Sequence, residues 1–224
     1  MKKRFFNFIL ILLIILIGVV YSYLYICSKK NKNNIYLSEE EKSYYQEYDE
    51  ILKTDNSKVC TVNNEEISNK DLKLTKILNH EDEKNLKDKT IKEKVILQTI
   101  KENNISLNEK DDTYIKDIIS DLNEDNEINK KYSESEKKEL LETLSKKLYN
   151  DSLIEQFKAD IISKIANKTF TSSDKTVLEK YKTCLDIQEK WANKENISYG
   201  KLTEAREAVY NAYINSLVSN SVIQ

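Results

Sequence analysis

Apolar residues are distributed along this chain in two ways. The first is a solid block: from Phe5 to Ser28 no residue is charged, and Ile, Leu, Phe and Tyr dominate. The second, from Ser38 onward, is a series of periodic clusters separated by polar turns. Tyr44, Tyr45, Tyr48, Ile51 and Leu52 mark a helix over residues 38–53 that starts on the N-cap Ser38. Val59-Cys60-Thr61-Val62, then Asn63-Asn64, then Glu65-Glu66-Ile67 reads as two short strands joined by a two-residue turn. Ser68 caps a helix carrying Leu72, Leu74, Ile77 and Leu78. A further helix over 90–103 places Ile91, Val95, Ile96 and Ile100 on one side. Ser106 stands as N-cap for a helix over 108–122 with Tyr114, Ile115, Ile118 and Ile119. Ser133 and Glu136 form a capping box opening a helix to about residue 149. A separate helix is expected over 152–167, with Leu153, Ile154, Phe157, Ile161, Ile162 and Ile165. Ser172 or Ser173 caps one over 174–193, and the last covers 201–218. Residues 219–224 are expected to fray.

Proline is absent and glycine occurs only as Gly18 and Gly200. Sheet-rich folds use both at their turns, so the chain is expected to be mainly α. The fold predicted is an N-terminal transmembrane helix followed by a helical domain with one short β-hairpin. It divides into residues 1–28, a membrane anchor; 29–58, a linker and Tyr-rich helix; 59–181, the helical domain with the hairpin; and 182–224, C-terminal helices.

The 24 residues from Phe5 to Ser28 would span ~36 Å as a helix, more than the ~30 Å hydrocarbon core of a bilayer. The exit from this block is bulky and Tyr-rich, unlike the small-residue exit of a cleaved signal peptide. An uncleaved anchor is expected, with the short basic tail (Lys2, Lys3, Arg4) inside and the domain outside. Cleavage after Ser22 and lipidation of Cys27 are the alternatives.

The first 28 residues contain three basic side chains and no acid, so the remainder is more acidic than the chain's formal −2. That balance argues against nucleic acid as a partner. Residues 121–132 begin like a calcium loop at Asp121, Asn123 and Asp125. They fail at Asn126, where glycine is needed, and at Tyr132, where a bidentate carboxylate is needed, and are read as a solvated acidic turn. Cys60 and Cys184 are read as buried free thiols. The one histidine, His80, is read as a solvated loop residue, and Trp191 as core. Nothing here assembles a catalytic set, so neither enzyme activity nor a cofactor is expected.

The run Val59 to Leu72, VCTVNNEEISNKDL, is more specific. It resembles the opening of the SurA/PrsA family of exported chaperones and foldases, whose pattern is V-a-x-V-N-G-x-x-I-t-x-x-e-l. Asn64 replaces the usual Gly. Ile91 to Ile105 is similar to the family's next long helix, Ser106-Leu107-Asn108-Glu109 to a following helix start, and Leu148 to Ile165 to a later helix. The likeness covers residues 59–181 and rests on apolar positions. The family's foldases carry a Gly- and His-bearing parvulin isomerase domain; after Thr171 this chain has no His and one Gly. The resemblance therefore implies a chaperone-like domain without isomerase activity, binding unfolded or extended segments of exported proteins at the cell membrane. The candidate client-binding surface is Tyr44, Tyr45 and Tyr48 of the Tyr-rich helix with Val209, Tyr210, Tyr213 and Leu217 of the last one. The alternative is a cell-envelope adaptor that uses the same scaffold for one dedicated partner.

Overall fold

Asn63 and Asn64 both take positive φ, 49° and 67°, the backbone that a tight two-residue turn between antiparallel strands requires. They join β1 (Lys58–Val62) to β2 (Glu65–Ser68), with Val62 opposite Glu65 and Cys60 opposite Ile67. The computed structural model describes residues 39–79 and 83–224 and adds eight helices to this hairpin. They are α1 (Glu39–Lys53), α2 (Asn69–Asn79), α3 (Glu83–Glu102), α4 (Glu109–Glu124), α5 (Asn126–Lys131), α6 (Glu134–Ala166), α7 (Lys175–Ala192) and α8 (Tyr199–Ser219). Fold class is therefore mainly helical with one two-stranded hairpin. Phe5 to Ser28 and His80 lie outside the described residues. Among those described, no helix is long and apolar enough to cross a membrane.

The chain divides into two units, Met1–Gln46 and Glu47–Gln224. The described part of the first is residues 39–46, the opening of α1, where Tyr44 is exposed and Tyr45 half-buried. The second contains the hairpin and the C-terminal helices together.

Several expected boundaries move, each for a local reason. The two helices expected over 133–149 and 152–167 are one helix of 33 residues, α6. The polar run Asn150-Asp151-Ser152 does not break it, because Asp151 pairs with Lys147 one turn earlier. Helix α3 starts at Glu83 rather than residue 90, extended by about two polar turns that carry little apolar signal. Asn108, not Ser106, caps α4, taking the Asp111 amide at 3.0 Å. Asp174, not Ser172 or Ser173, caps α7, taking the Val177 amide at 2.9 Å. Asp125, in the acidic run read as a solvated turn, is the half-buried joint between α4 and α5. Its carboxylate accepts the amides of Glu127 and Ile128, both at 2.8 Å, and opens α5. The Ser133–Glu136 capping box forms as read.

The scarcity of glycine leaves a mark at helix ends. Asn104, Lys168 and Lys194 sit at φ of 53°, 61° and 58°, where helices commonly place Gly. In each case the next amide returns to the carbonyl five residues back: Ile105 to Ile100, Thr169 to Lys164, Glu195 to Lys190.

Residues 219–224 do not fray. Beyond α8 the tail turns back and bridges β1, with Ile223 opposite Val62. The Thr61 amide donates to the Gln224 carbonyl at 2.7 Å, and the Gln224 amide returns to Thr61 at 3.1 Å. Strand β1 offers an open edge, and unpaired edge amides take the nearest extended chain.

Two clusters of the core bear on the site, a large helical one and a small one under the hairpin; Ile51, Ile77, Ile115, Ile128, Leu140 and Leu144 are buried outside both. The large one joins Ile96 and Ile100 of α3, Leu153, Phe157, Ile161 and Ile165 of α6, Val177, Tyr181 and Cys184 of α7, and Val209, Tyr210 and Ile214 of α8. The small one joins Cys60, Val62 and Ile67 of the hairpin to Ile91 and Val95 of α3, with Leu72 and Leu217 at its margin. Cys60 and Cys184, both buried and free, therefore belong to different clusters.

Candidate functional site

In α8 Tyr210 and Ile214 stand four residues apart and so face the same way, while Asn211 and Asn215 flank them. Helix α8 packs on α3 and α6, and the three leave an open cleft of about 640 Å³, within the range of ligand pockets. Its floor is Ile96 of α3, Ile154 of α6, and Tyr210 and Ile214 of α8. Lys89, Lys92, Glu155, Lys158, Asn211 and Asn215 form the rim. Of the floor residues Ile154 is the half-buried one, so it offers the most surface to an occupant.

Tyr210 joins floor and rim. Burial, reinforced by the carboxylates of Glu155 and Glu207, pushes its hydroxyl up to about 12. Lys158 reaches across the ring, its Nζ 5.6 Å from the centroid, and pairs with Glu207 at 3.2 Å. The ring is thus roofed by an alkyl stem and an ammonium.

A half-buried charge cluster around the buried Lys147 lies at one side of the cleft, between α2, α3 and α6. Lys147 Nζ contacts Glu93 Oε2 at 3.1 Å and also pairs with Asp151. The Thr75 hydroxyl donates to the same Glu93 oxygen at 3.1 Å. Burial holds the Asp151 carboxyl above the usual carboxylate range, and Lys147 pulls only part of that back. Glu93 and Asp151 also line a smaller cavity of about 90 Å³ with Ile67, Leu74 and Thr75. Its chemistry is that of a lock: one ammonium, two carboxylates and a hydroxyl tie three helices together.

The sequence-selected surface residues do not gather at one place. Val209 is fully buried in the large cluster and carries no surface for a client. Its place in α8 faces the core, which the apolar spacing alone does not separate from an exposed stripe. Tyr210 is buried at 7 % exposure but lines the cleft. Tyr213 is half-buried, edge-on to Phe170 with centroids 5.6 Å apart, and so is a packing residue and not a free aromatic. Leu217 packs at the margin of both clusters. Tyr44 is exposed, and Tyr45 and Tyr48 are half-buried. Trp191, read as core, is 43 % exposed and lies beside the exposed Tyr199 at 6.3 Å.

Sequence reasoning missed Ile96, Ile154 and Ile214 as floor residues because each also fits an ordinary core position. The Lys147–Asp151 pair, four apart, becomes a signal only once 133–167 is seen as one helix, which the sequence pattern splits at 150–151. Its meeting with Glu93 leaves no signal in the sequence.

No family model matches this chain, and no curated protein or solved structure matches it.

Proposed function

We propose that this is a membrane-tethered, extracytoplasmic, chaperone-like protein that holds unfolded or extended segments of exported proteins. Phe5 to Ser28 serve as the tether, and the helical domain, of SurA N-terminal type over residues 59–181, binds clients without isomerising their prolyl bonds. The observation that carries this reading is the cleft between α3, α6 and α8. Its isoleucine and tyrosine floor receives apolar side chains without a fixed hydrogen-bond code. Its rim of long lysines can adapt to the main chain of many sequences.

The test is aggregation of several unrelated unfolded proteins in the presence of the full chain in detergent. Ile154→Glu, which sets a carboxylate on the half-buried part of the floor, is expected to lose most of the suppression while retaining the helical circular-dichroism signal. Equal activity of that variant, or no suppression by the parent chain, overturns the reading. A mature amino terminus at Tyr23 or a lipid on Cys27 overturns the uncleaved tether.

A second reading, an adaptor for one dedicated envelope partner, draws on the exposed Trp191–Tyr199 pair between α7 and α8. Exposed Trp and Tyr are common interface anchors. Capture of a single protein, lost with Trp191→Ala and indifferent to Ile154→Glu, would favour it.

A further inference from the structure

Strand β1 has two edges. One pairs with β2, and the other is taken by the tail, residues 222–224. Besides the reciprocal Thr61–Gln224 pair, the Asn63 amide donates to the Val222 carbonyl at 2.8 Å. The Val222 amide donates to Asn63 Oδ1, also at 2.8 Å. On the tail's side every one of these bonds is main chain. Its side chains contribute little: Val222 is 57 % exposed and Ile223 44 %.

The edge itself is held much more firmly than its occupant. Val62 is fully buried. Its carbonyl accepts from Gln98 Nε2 at 2.8 Å, and Gln98 Oε1 accepts from Asn63 Nδ2 at 2.9 Å. One glutamine of α3 thus fixes both the end of β1 and the first turn residue. A rigid edge with a loosely buried occupant, held almost wholly by backbone apart from a long Asn63 Nδ2 to Ser221 Oγ contact of 3.4 Å, suits extended chains of many sequences.

We propose that this edge of β1 is a strand-accepting site, covered in cis by the tail and taken over by an extended segment of an unfolded exported protein. The inference rests on the peptide-holding reading above and names how such a segment is gripped: by strand addition at the hairpin. The tail then acts as a built-in competitor, which lowers the affinity for a client by the fraction of time it occupies the edge.

The test uses the full chain in detergent and three fluorescein-labelled hexapeptides. One has the sequence of residues 219–224, one is a scramble of it, and one is the same peptide N-methylated at the amides matching Val222 and Gln224. Deleting residues 222–224 is expected to raise affinity for the first two alike, by roughly tenfold. The methylated peptide, stripped of the donors that pair with β1, should bind at least about tenfold more weakly than its parent. Ser221→Ala leaves the edge and the Asn63-Asn64 turn untouched but removes the tail's side-chain contact with Asn63 Nδ2, and should give a smaller gain in the same direction. This second variant keeps the test open if the deletion fails to fold. Unchanged affinity in both variants, or equal binding of the methylated peptide, overturns the proposal. A full chain that dimerises, with the dimer lost on deletion, would assign the edge to the tail of a second copy and also overturn it. If neither tail variant alters peptide binding while Ile154→Glu still abolishes aggregation suppression, the edge proposal falls and the cleft reading stands. If tail deletion sharpens peptide binding and Ile154→Glu leaves suppression intact, the reverse holds.

Discussion

The large helical cluster and the cluster under the hairpin are built on different principles. The large one is side-chain packing throughout: four helices and Phe170 bring together branched and aromatic residues, with the Phe170 ring edge-on to Tyr181 and Tyr213. The small one has few side chains, and its elements are short strands that cannot stand alone in water. It is completed by polar contacts of the backbone, through Gln98 to the Val62 carbonyl and through the tail to Thr61 and Asn63. Helix α3 belongs to both. Ile91 and Val95 face the hairpin, and Ile96 and Ile100 face the helices. A cluster built on packing should fail in proportion to the volume removed. One built on a few bonds should fail at single atoms.

The largest expected effect tests whether the clusters are coupled through α3. Val62→Asp buries an unpaired carboxyl at a fully covered site and should cost about 4 kcal/mol or more. Phe157→Ala, which opens a cavity in the large cluster, should cost about 3–5 kcal/mol. Both variants should melt in a single transition at lower temperature. A Val62→Asp protein that loses only hairpin signals, with the helical melt unmoved, would show the small cluster to be an independent satellite.

Next in size is Gln98→Leu. It keeps much of the side-chain volume but removes a second donor to the buried Val62 carbonyl, which keeps its ladder bond to β2, and the acceptor of Asn63 Nδ2, for a loss of about 1–2 kcal/mol in chemical denaturation. A neutral result would mean that the hairpin does not depend on this bond.

Ser133→Ala should cost about 1 kcal/mol by removing the N-cap of α6. The same box predicts a pH dependence. The Ser133 hydroxyl, and then its amide, hold the Glu136 carboxyl below the usual glutamate range. Its stabilising contribution is therefore complete above the unfolded-state value and is lost as pH falls through the lower folded-state value. Glu136→Gln should flatten that part of the acid limb relative to the parent, and a parallel limb would refute the assignment.

The smallest effect has the opposite sign. Lys194 holds a positive φ at the end of α7, a conformation that costs a side-chain-bearing residue roughly 1 kcal/mol. Lys194→Gly should raise the melting temperature slightly, and a drop would mean that the lysine side chain contributes something at this turn.

The sequence was most legible where one local rule decides the structure. The hairpin turn at Asn63-Asn64 needs only residues that tolerate positive φ, and the Ser133–Glu136 box needs only a spacing of three. Both formed where read. It was least legible where polar residues carry structure. Residues 83–89 lack an apolar stripe yet extend α3, and Asn150-Asp151-Ser152 looks like a break yet lies inside α6. Asp125 reads as part of an acidic turn and is also the cap that opens α5. In α8 the spacing marks an apolar stripe, but Val209, Tyr210 and Tyr213 sit on the same apolar side in sequence and meet different surroundings in space.

By itself, then, the sequence determined a helical chain with one hairpin, because periodicity, caps and the near absence of Gly and Pro act over a few residues. Only the tertiary structure decided which apolar residues become the floor of the cleft, which polar ones meet as the Lys147–Glu93–Asp151 lock, and that the tail returns to β1. Each of those depends on groups far apart in the chain: Asn63 and Val222, Glu93 and Lys147, Ile96 and Ile214. Such pairings are chosen by the packing of whole elements, where side-chain volume and unpaired backbone groups across the domain must be satisfied together.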